Sequence, residues 1–105
     1  MKATAMSLHG LYIPEAEIER FCTRKHVRKL SLFGSVLTDR FRRDSDVDFL
    51  VEFDPDRVPG FFGLARMERE LSEIIGRKAD IRTAEDLSRY FRAEVVTGAM
   101  IQYER

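Results

Sequence analysis

The chain has 105 residues, in which 18 Lys+Arg balance 18 Asp+Glu, so it carries no net formal charge at pH 7. That length suits a single domain spanning residues 1–105. The neutral balance excludes a uniformly basic nucleic-acid binder or a polybasic membrane module, though not a local patch of either sign.

With 44% hydrophobic and 34% charged residues, the chain reads as globular rather than disordered. One cysteine, Cys22, excludes an internal disulfide and a cysteine zinc cluster, and suits a reducing cytoplasm. No apolar run approaches the roughly 20 residues that cross a bilayer. The N-terminal stretch is too short in apolar residues, and acidic too early, for a signal peptide. The expectation is a soluble cytoplasmic domain without membrane contact.

In chain order, Pro14 at a first helical position, acids at 15, 17 and 19, and the spacing of Ile18, Phe21 and Cys22 predict an amphipathic helix over 14–25. Val27–Phe33 reads as a strand ended sharply by Gly34 and Ser35, with a short helix over Val36–Phe41. Val47–Phe53 alternates strictly, with Val47, Phe49, Val51 and Phe53 on one face and Asp48, Leu50 and Glu52 on the other. After a turn at Asp54-Pro55 and Pro59-Gly60, Leu64, Met67, Leu71, Ile74 and Ile75 recur at helical spacing up to Gly76, a C-terminal stop. Lys78–Arg82 is a short strand, and Thr83 can cap a last helical region in which Leu87, Phe91 and Val95 share a face. The fold class is α/β (α+β), a small mixed sheet flanked by helices.

The chemistry concentrates between Leu32 and Glu52, where Gly34-Ser35 is followed by ten residues and then Asp46-Val47-Asp48. On a strand, Asp46 and Asp48 project from one face about 7 Å apart, close enough to share metal ions. Two such carboxylates repel, and a cation is the natural compensation. Mg²⁺ takes a few carboxylates together with substrate phosphates. Gly34 allows close approach of the backbone to a ligand. A helical turn starting there would offer N–H groups and the Ser35 hydroxyl to a triphosphate. Asp80, flanked by core-facing Ala79 and Ile81, points to the opposite face, where an adjacent strand could bring it beside Asp46 and Asp48. Its expected roles are second-metal ligand and proton acceptor.

The same residues resemble the minimal nucleotidyltransferase family of the polymerase-β-like superfamily, with its glycine-serine, ten-residue spacer and Asp-x-Asp signature. The matching positions are Gly34, Ser35, Asp46, Asp48 and, in the strand ADIRT, Asp80. SLFGSV, DSDVDFLVEFDP, GLARMERELSEIIGRK and EDLSRYFRAEVV extend the likeness over nearly the whole chain. The resemblance implies a polymerase-β-like fold and a Mg²⁺-dependent enzyme that uses ATP. It further implies a HEPN-domain ribonuclease toxin as partner, a tyrosine of which receives AMP, so that the chain acts as antitoxin. Thr38-Asp39-Arg40 departs from many relatives, which carry an arginine or small residues after the Gly-Ser turn.

Other readings of single features stand beside these. Arg40, Arg42 and Arg43 either clamp phosphates, with Arg43 carried as the nucleotide-binding candidate, or form a solvated loop. Asp44 to Asp48 matches the start of an EF-hand loop. That reading fails, because Phe49 stands where glycine is needed and Pro55 where a glutamate should bind. Glu52 lies too far along its strand to share the metals. Arg24, Lys25, His26, Arg28 and Lys29 lack the interleaved aromatics of a base-stacking surface, so direct nucleic-acid binding is not expected. His9 and His26 have no partner at catalytic spacing. Cys22 is read as core, and Tyr90, Phe91 and Tyr103 as packing or partner contacts. The apolar positions within 61–75 and 87–103 offer a docking face. Two alternative functions remain: a non-catalytic antitoxin that blocks its partner by contact, and a transferase acting on a small molecule or RNA end with another subunit.

Overall fold

A computed structural model describes residues 5–8, as backbone, and 10–105; His9 lies outside the described residues. Two short strands, β1 (Ala5–Leu8) and β2 (Leu11–Pro14), form an antiparallel hairpin in which Leu8 pairs with Leu11 and Gly10 turns at φ +79°. Helix α1 (Glu15–Arg24) follows directly, so Pro14 closes β2 instead of opening the helix. Its backbone at φ −75°, ψ 108° is extended, a geometry proline accepts as readily as the first helical turn.

Strand β3 (Val27–Phe33) lies at the centre of a four-stranded sheet ordered β5-β4-β3-β6. It runs antiparallel to β4 (Val47–Phe53) and to β6 (Met100–Glu104), while β4 and β5 (Ala79–Arg82) are parallel. The sheet is therefore mixed, as expected. A bulge between Val27 and Lys29 lets Val27 share the buried side with Leu30 despite their odd spacing.

The strict alternation of β4 is realised: Val47, Phe49, Val51 and Phe53 are buried, and Asp48, Leu50 and Glu52 face the other way. Ile18, Phe21 and Cys22 of α1 join Met67, Leu71 and Ile75 of α2 (Phe61–Ile75) in the same core. Truncating a fully buried side chain such as Phe49 or Leu71 to alanine would cost about 2–5 kcal/mol. Burial pushes the Cys22 thiol up to about 12, so it behaves as a core atom and not a nucleophile. Gly76 ends α2 in the left-handed region at φ +72°, its N–H donating to the Ser72 carbonyl, as the stop signal implied.

Three further expectations change. The helix expected over Val36–Phe41 is a single 3-10 turn, Gly34–Leu37, because the Thr38 N–H and hydroxyl both close on the Ser35 carbonyl, at 2.9 and 2.8 Å. The region after Thr83 divides into a 3-10 turn, Ala84–Asp86, and α3 (Arg92–Gly98). Thr83 does cap, in a reciprocal capping box with Asp86, but Leu87 and Phe91 fall outside helix and Phe91 is exposed. Finally, β1, β2 and β6 add three strands to the expected order. Among the described residues, no helix is long and apolar enough to cross a membrane.

Candidate functional site

Strand pairing assembles the acids. In the parallel ladder between β4 and β5, Asp48 is the register partner of Asp80, and on the other side of β4 it pairs with Phe33. Asp48 thus stands between Asp80 and the Gly34 turn that follows Phe33. Asp46 sits one residue before β4, and its neighbour Val47 donates its N–H to the Lys78 carbonyl at 2.9 Å. Ala79 and Ile81 are buried, so the phase inferred for β5 holds and Asp80 emerges on the half-open face.

The carboxylates feel one another. Burial, then Asp80 and Asp46, push the Asp48 carboxyl above the usual aspartate value, against the pull of Arg82 and Lys78. Burial also works against Asp80 in its charged form. Hydrogen bonds from Arg82 and Glu68, and the charges of Arg82 and Lys78, outweigh it and hold Asp80 below the ordinary value. Arg82 donates to Asp80 at 3.0 Å, and Lys78 Nζ lies 3.3 Å from Asp46. Among the described residues no three potential ligands are drawn tightly enough to enclose a metal as they stand. Two of the three acids face a cation instead. The donor set of Asp46, Asp48 and Asp80 is carboxylate oxygen only, which suits a hard ion such as Mg²⁺ or Mn²⁺.

Gly34 is at φ +81°, and what approaches its bare Cα is Asp48: a Cβ there would lie 3.2 Å from the Asp48 Cγ. The glycine is required by an acid of the same chain, whatever ligand approaches it. Ser35 is half-buried at the head of the 3-10 turn, whose leading N–H groups lack intrahelical acceptors. The departing triplet has a structural role, since Thr38 locks Ser35 and its hydroxyl accepts the Arg40 N–H at 3.1 Å. Arg40, Arg42 and Arg43 are exposed, and the Arg42 carbonyl is bound by Arg77. Glu52 is exposed at the far end of β4, remote from the acids as its spacing implied.

Several residues near the acids were not singled out from the sequence. Two side chains of α2, one turn apart, meet the N–H groups along β5: Ser72 Oγ accepts from Ala79 at 2.8 Å and Glu68 Oε2 from Ile81 at 2.7 Å. Burial raises the Glu68 carboxyl, its contact with Asp80 raises it further, and the Ile81 N–H opposes both. A readable signal existed for two others: Lys78, Asp80 and Arg82 alternate with apolar residues, which places both cations on the face of Asp80. The β4 face that carries Asp48 also carries Leu50, which lines a cavity of about 530 Å³ with Lys29, Thr83, Val96 and Ile101.

The nucleotidyltransferase domain family matches residues 16–102. A Methanocaldococcus jannaschii protein named for protein adenylyltransferase activity is 30% identical over 77 residues, covering 72% of this chain and 81% of the relative. Among solved structures, a minimal nucleotidyltransferase superposes with a TM-score of 0.67 at 29% identity, over 82% of this chain and 86% of that one. Two toxin–antitoxin complexes share the fold. One contains AMP-PNP (TM-score 0.69, 18% identity, 87% of this chain and 73% of that one). The other is a tri-AMPylated Shewanella oneidensis HEPN toxin with its MNT antitoxin (TM-score 0.61, 16% identity, 87% and 70%).

Proposed function

The chain belongs to the nucleotidyltransferase domain family, and from that premise we propose that it transfers AMP from ATP to a tyrosine of a HEPN-type ribonuclease partner, and so acts as its antitoxin. The observation that carries the reaction is the β4–β5 register, which sets Asp80 beside Asp48, the acid that packs against Gly34. The AMPylated HEPN toxin in a neighbouring structure supports the acceptor class. Exposed Phe61, Phe62, Tyr90 and Phe91 offer apolar surface to a partner of that kind.

In this reading Asp46, Asp48 and Asp80 hold Mg²⁺, which when bound offsets charge on the α-phosphate and on the departing oxygens. The Gly34-Ser35 turn receives the triphosphate, with Arg43 reaching it from the loop. The acceptor oxygen bonds to the α-phosphorus, the bond to the bridging oxygen breaks and pyrophosphate leaves. The hydroxyl proton passes to Asp80. Arg82 keeps Asp80 ionised, and the proton affinity of this carboxylate rises as Arg82 turns from it toward the incoming phosphates.

Incubating the chain and its partner with ATP labelled at the α-phosphate tests this directly. Label should appear on the partner and vanish with the Asp46→Asn, Asp48→Asn double variant. Transfer that survives the double change would defeat the reading. Neutralisation without any transfer or ATP binding would show that the chain blocks its partner by contact alone.

A further inference from the structure

Arg77 lies in the turn between α2 and β5, and none of the roles described above is assigned to it. Its guanidinium donates to two backbone carbonyls of the acid-bearing loop, Arg42 at 3.0 Å and Ser45 at 2.7 Å. The same group lies 4.8 Å over the Phe41 ring, which packs against the core. The loop is also knotted from within, since the Ser45 N–H donates to the Arg42 carbonyl at 3.1 Å and the Arg42 N–H to Ser45 Oγ at 2.9 Å. Two residues further on, the Val47 N–H is taken by the Lys78 carbonyl.

Asp46 is the single residue between these anchors. Ser45 before it is tied to Arg77, and Val47 after it to Lys78, the next residue of the same turn. We propose that Arg77 is a positioning residue that sets the Asp46 carboxylate in its working place. This rests on the reading of Asp46 as a metal ligand. Arginine suits the task because one Nη of a permanently charged group carries two N–H donors, one for each carbonyl, while the planar guanidinium stacks on an aromatic ring. A lysine ammonium supplies the charge and the donors without the stacking plane.

The test compares wild type with Arg77→Met, Arg77→Lys and Arg77→Ala, measuring Mn²⁺ affinity of the chain with AMP-PNP by calorimetry, and KM and kcat for AMP transfer. Arg77→Met should weaken Mn²⁺ binding about 10–100-fold, the usual effect of removing a group that orients a ligand. Arg77→Lys should fall between, and guanidinium ion should restore Arg77→Ala but not Arg77→Met. Adding Asp46→Asn to Arg77→Met should cost little more, because both changes remove one interaction. Mn²⁺ affinity within twofold of wild type in Arg77→Met, or losses that add, would overturn the proposal.

Should wild type bind no Mn²⁺, the transfer reading falls, and Arg77 is judged by amide hydrogen exchange over residues 42–47. Tenfold faster exchange in Arg77→Met supports the clamp, and unchanged exchange overturns it. If Arg77→Met does not fold, Phe41→Leu removes the stacking face while keeping apolar bulk against the core, and is judged by the same exchange measurement.

Discussion

A side chain at Gly34 would displace the carboxylate of Asp48: a Cβ on Gly34 would press into Asp48 Oδ2 and lie 3.2 Å from its Cγ. Two separate costs follow for Gly34→Ala. The left-handed backbone at φ +81° disfavours any L side chain by about 1–2 kcal/mol. The clash adds about 1–3 kcal/mol of overpacking. In an Asp48→Ala background only the first cost should remain, because the Asp48 Cβ is at an ordinary 3.4 Å. Urea titrations of the four proteins in this cycle measure the difference. A Gly34→Ala penalty of equal size in both backgrounds would show that the carboxylate does not fill that space.

Asp48 also carries a stability cost. Burial, Asp80 and Asp46 raise its carboxyl in the folded state, so the folded chain holds that proton more tightly than the unfolded chain does. Stability from this group therefore falls as pH rises from the ordinary aspartate value of 3.8 through the raised one, and the full cost is present at neutral pH. Asp48→Asn should raise the Tm at pH 7, because it removes the charge that burial and the neighbouring acids disfavour. The gain should shrink below pH 3.8. Millimolar Mg²⁺ should raise the Tm of wild type and leave that of the variant unchanged.

Strand β5 depends on α2 for more than apolar packing. Ser72 and Glu68 accept the N–H groups of Ala79 and Ile81. Glu68→Ala should leave the Ile81 N–H without its acceptor and cost about 1–3 kcal/mol, with faster amide exchange at Ile81 than at Phe49 on the neighbouring strand. Glu68→Gln keeps an acceptor oxygen and should keep Ile81 protected. Equal exchange in both variants would mean that water serves Ile81 as well as the helix does.

The elements that were legible in the sequence are those whose periodicity matches their burial. Val47–Phe53 alternates because one face is core, and α2 shows its stripe because Met67, Leu71 and Ile75 all face the sheet. Asp80 could be placed from the apolar residues on either side of it. The missed strands lack such a signature. Strand β6 is an edge with Met100 and Ile101 exposed, and a bulge interrupts its pairing with β3. The β1–β2 hairpin turns at Gly10, and the sequence there lacks the Asn-Gly or Asp-Gly pair that announces a two-residue turn. Arg77 and Glu68 were invisible for another reason. Their partners are backbone atoms 32–35 and 13 residues away, and no local pattern encodes such contacts.

The Arg82–Asp80 pair makes the last prediction, in which two effects of one change differ in sign. Despite its burial, Asp80 is held below its ordinary value chiefly by Arg82 and Glu68, so the pair contributes stability above the unfolded aspartate value and loses it as pH falls through the folded one. Arg82→Gln should therefore lower the Tm at pH 7 and have little effect in strong acid. The loss should be small, since the Arg82 side chain is 49% exposed and water screens the pair. Mg²⁺ binding should change in the opposite direction. In the proposed reading a metal at Asp80 must displace the guanidinium, and in Arg82→Gln that competitor is gone. Calorimetry should find Mg²⁺ bound about two- to fivefold more tightly by the variant, the range expected for breaking an exposed ion pair. AMP transfer at saturating Mg²⁺ should nevertheless fall if Arg82 turns to the phosphates. Weaker Mg²⁺ binding by Arg82→Gln would show instead that the arginine orients Asp80 for the metal.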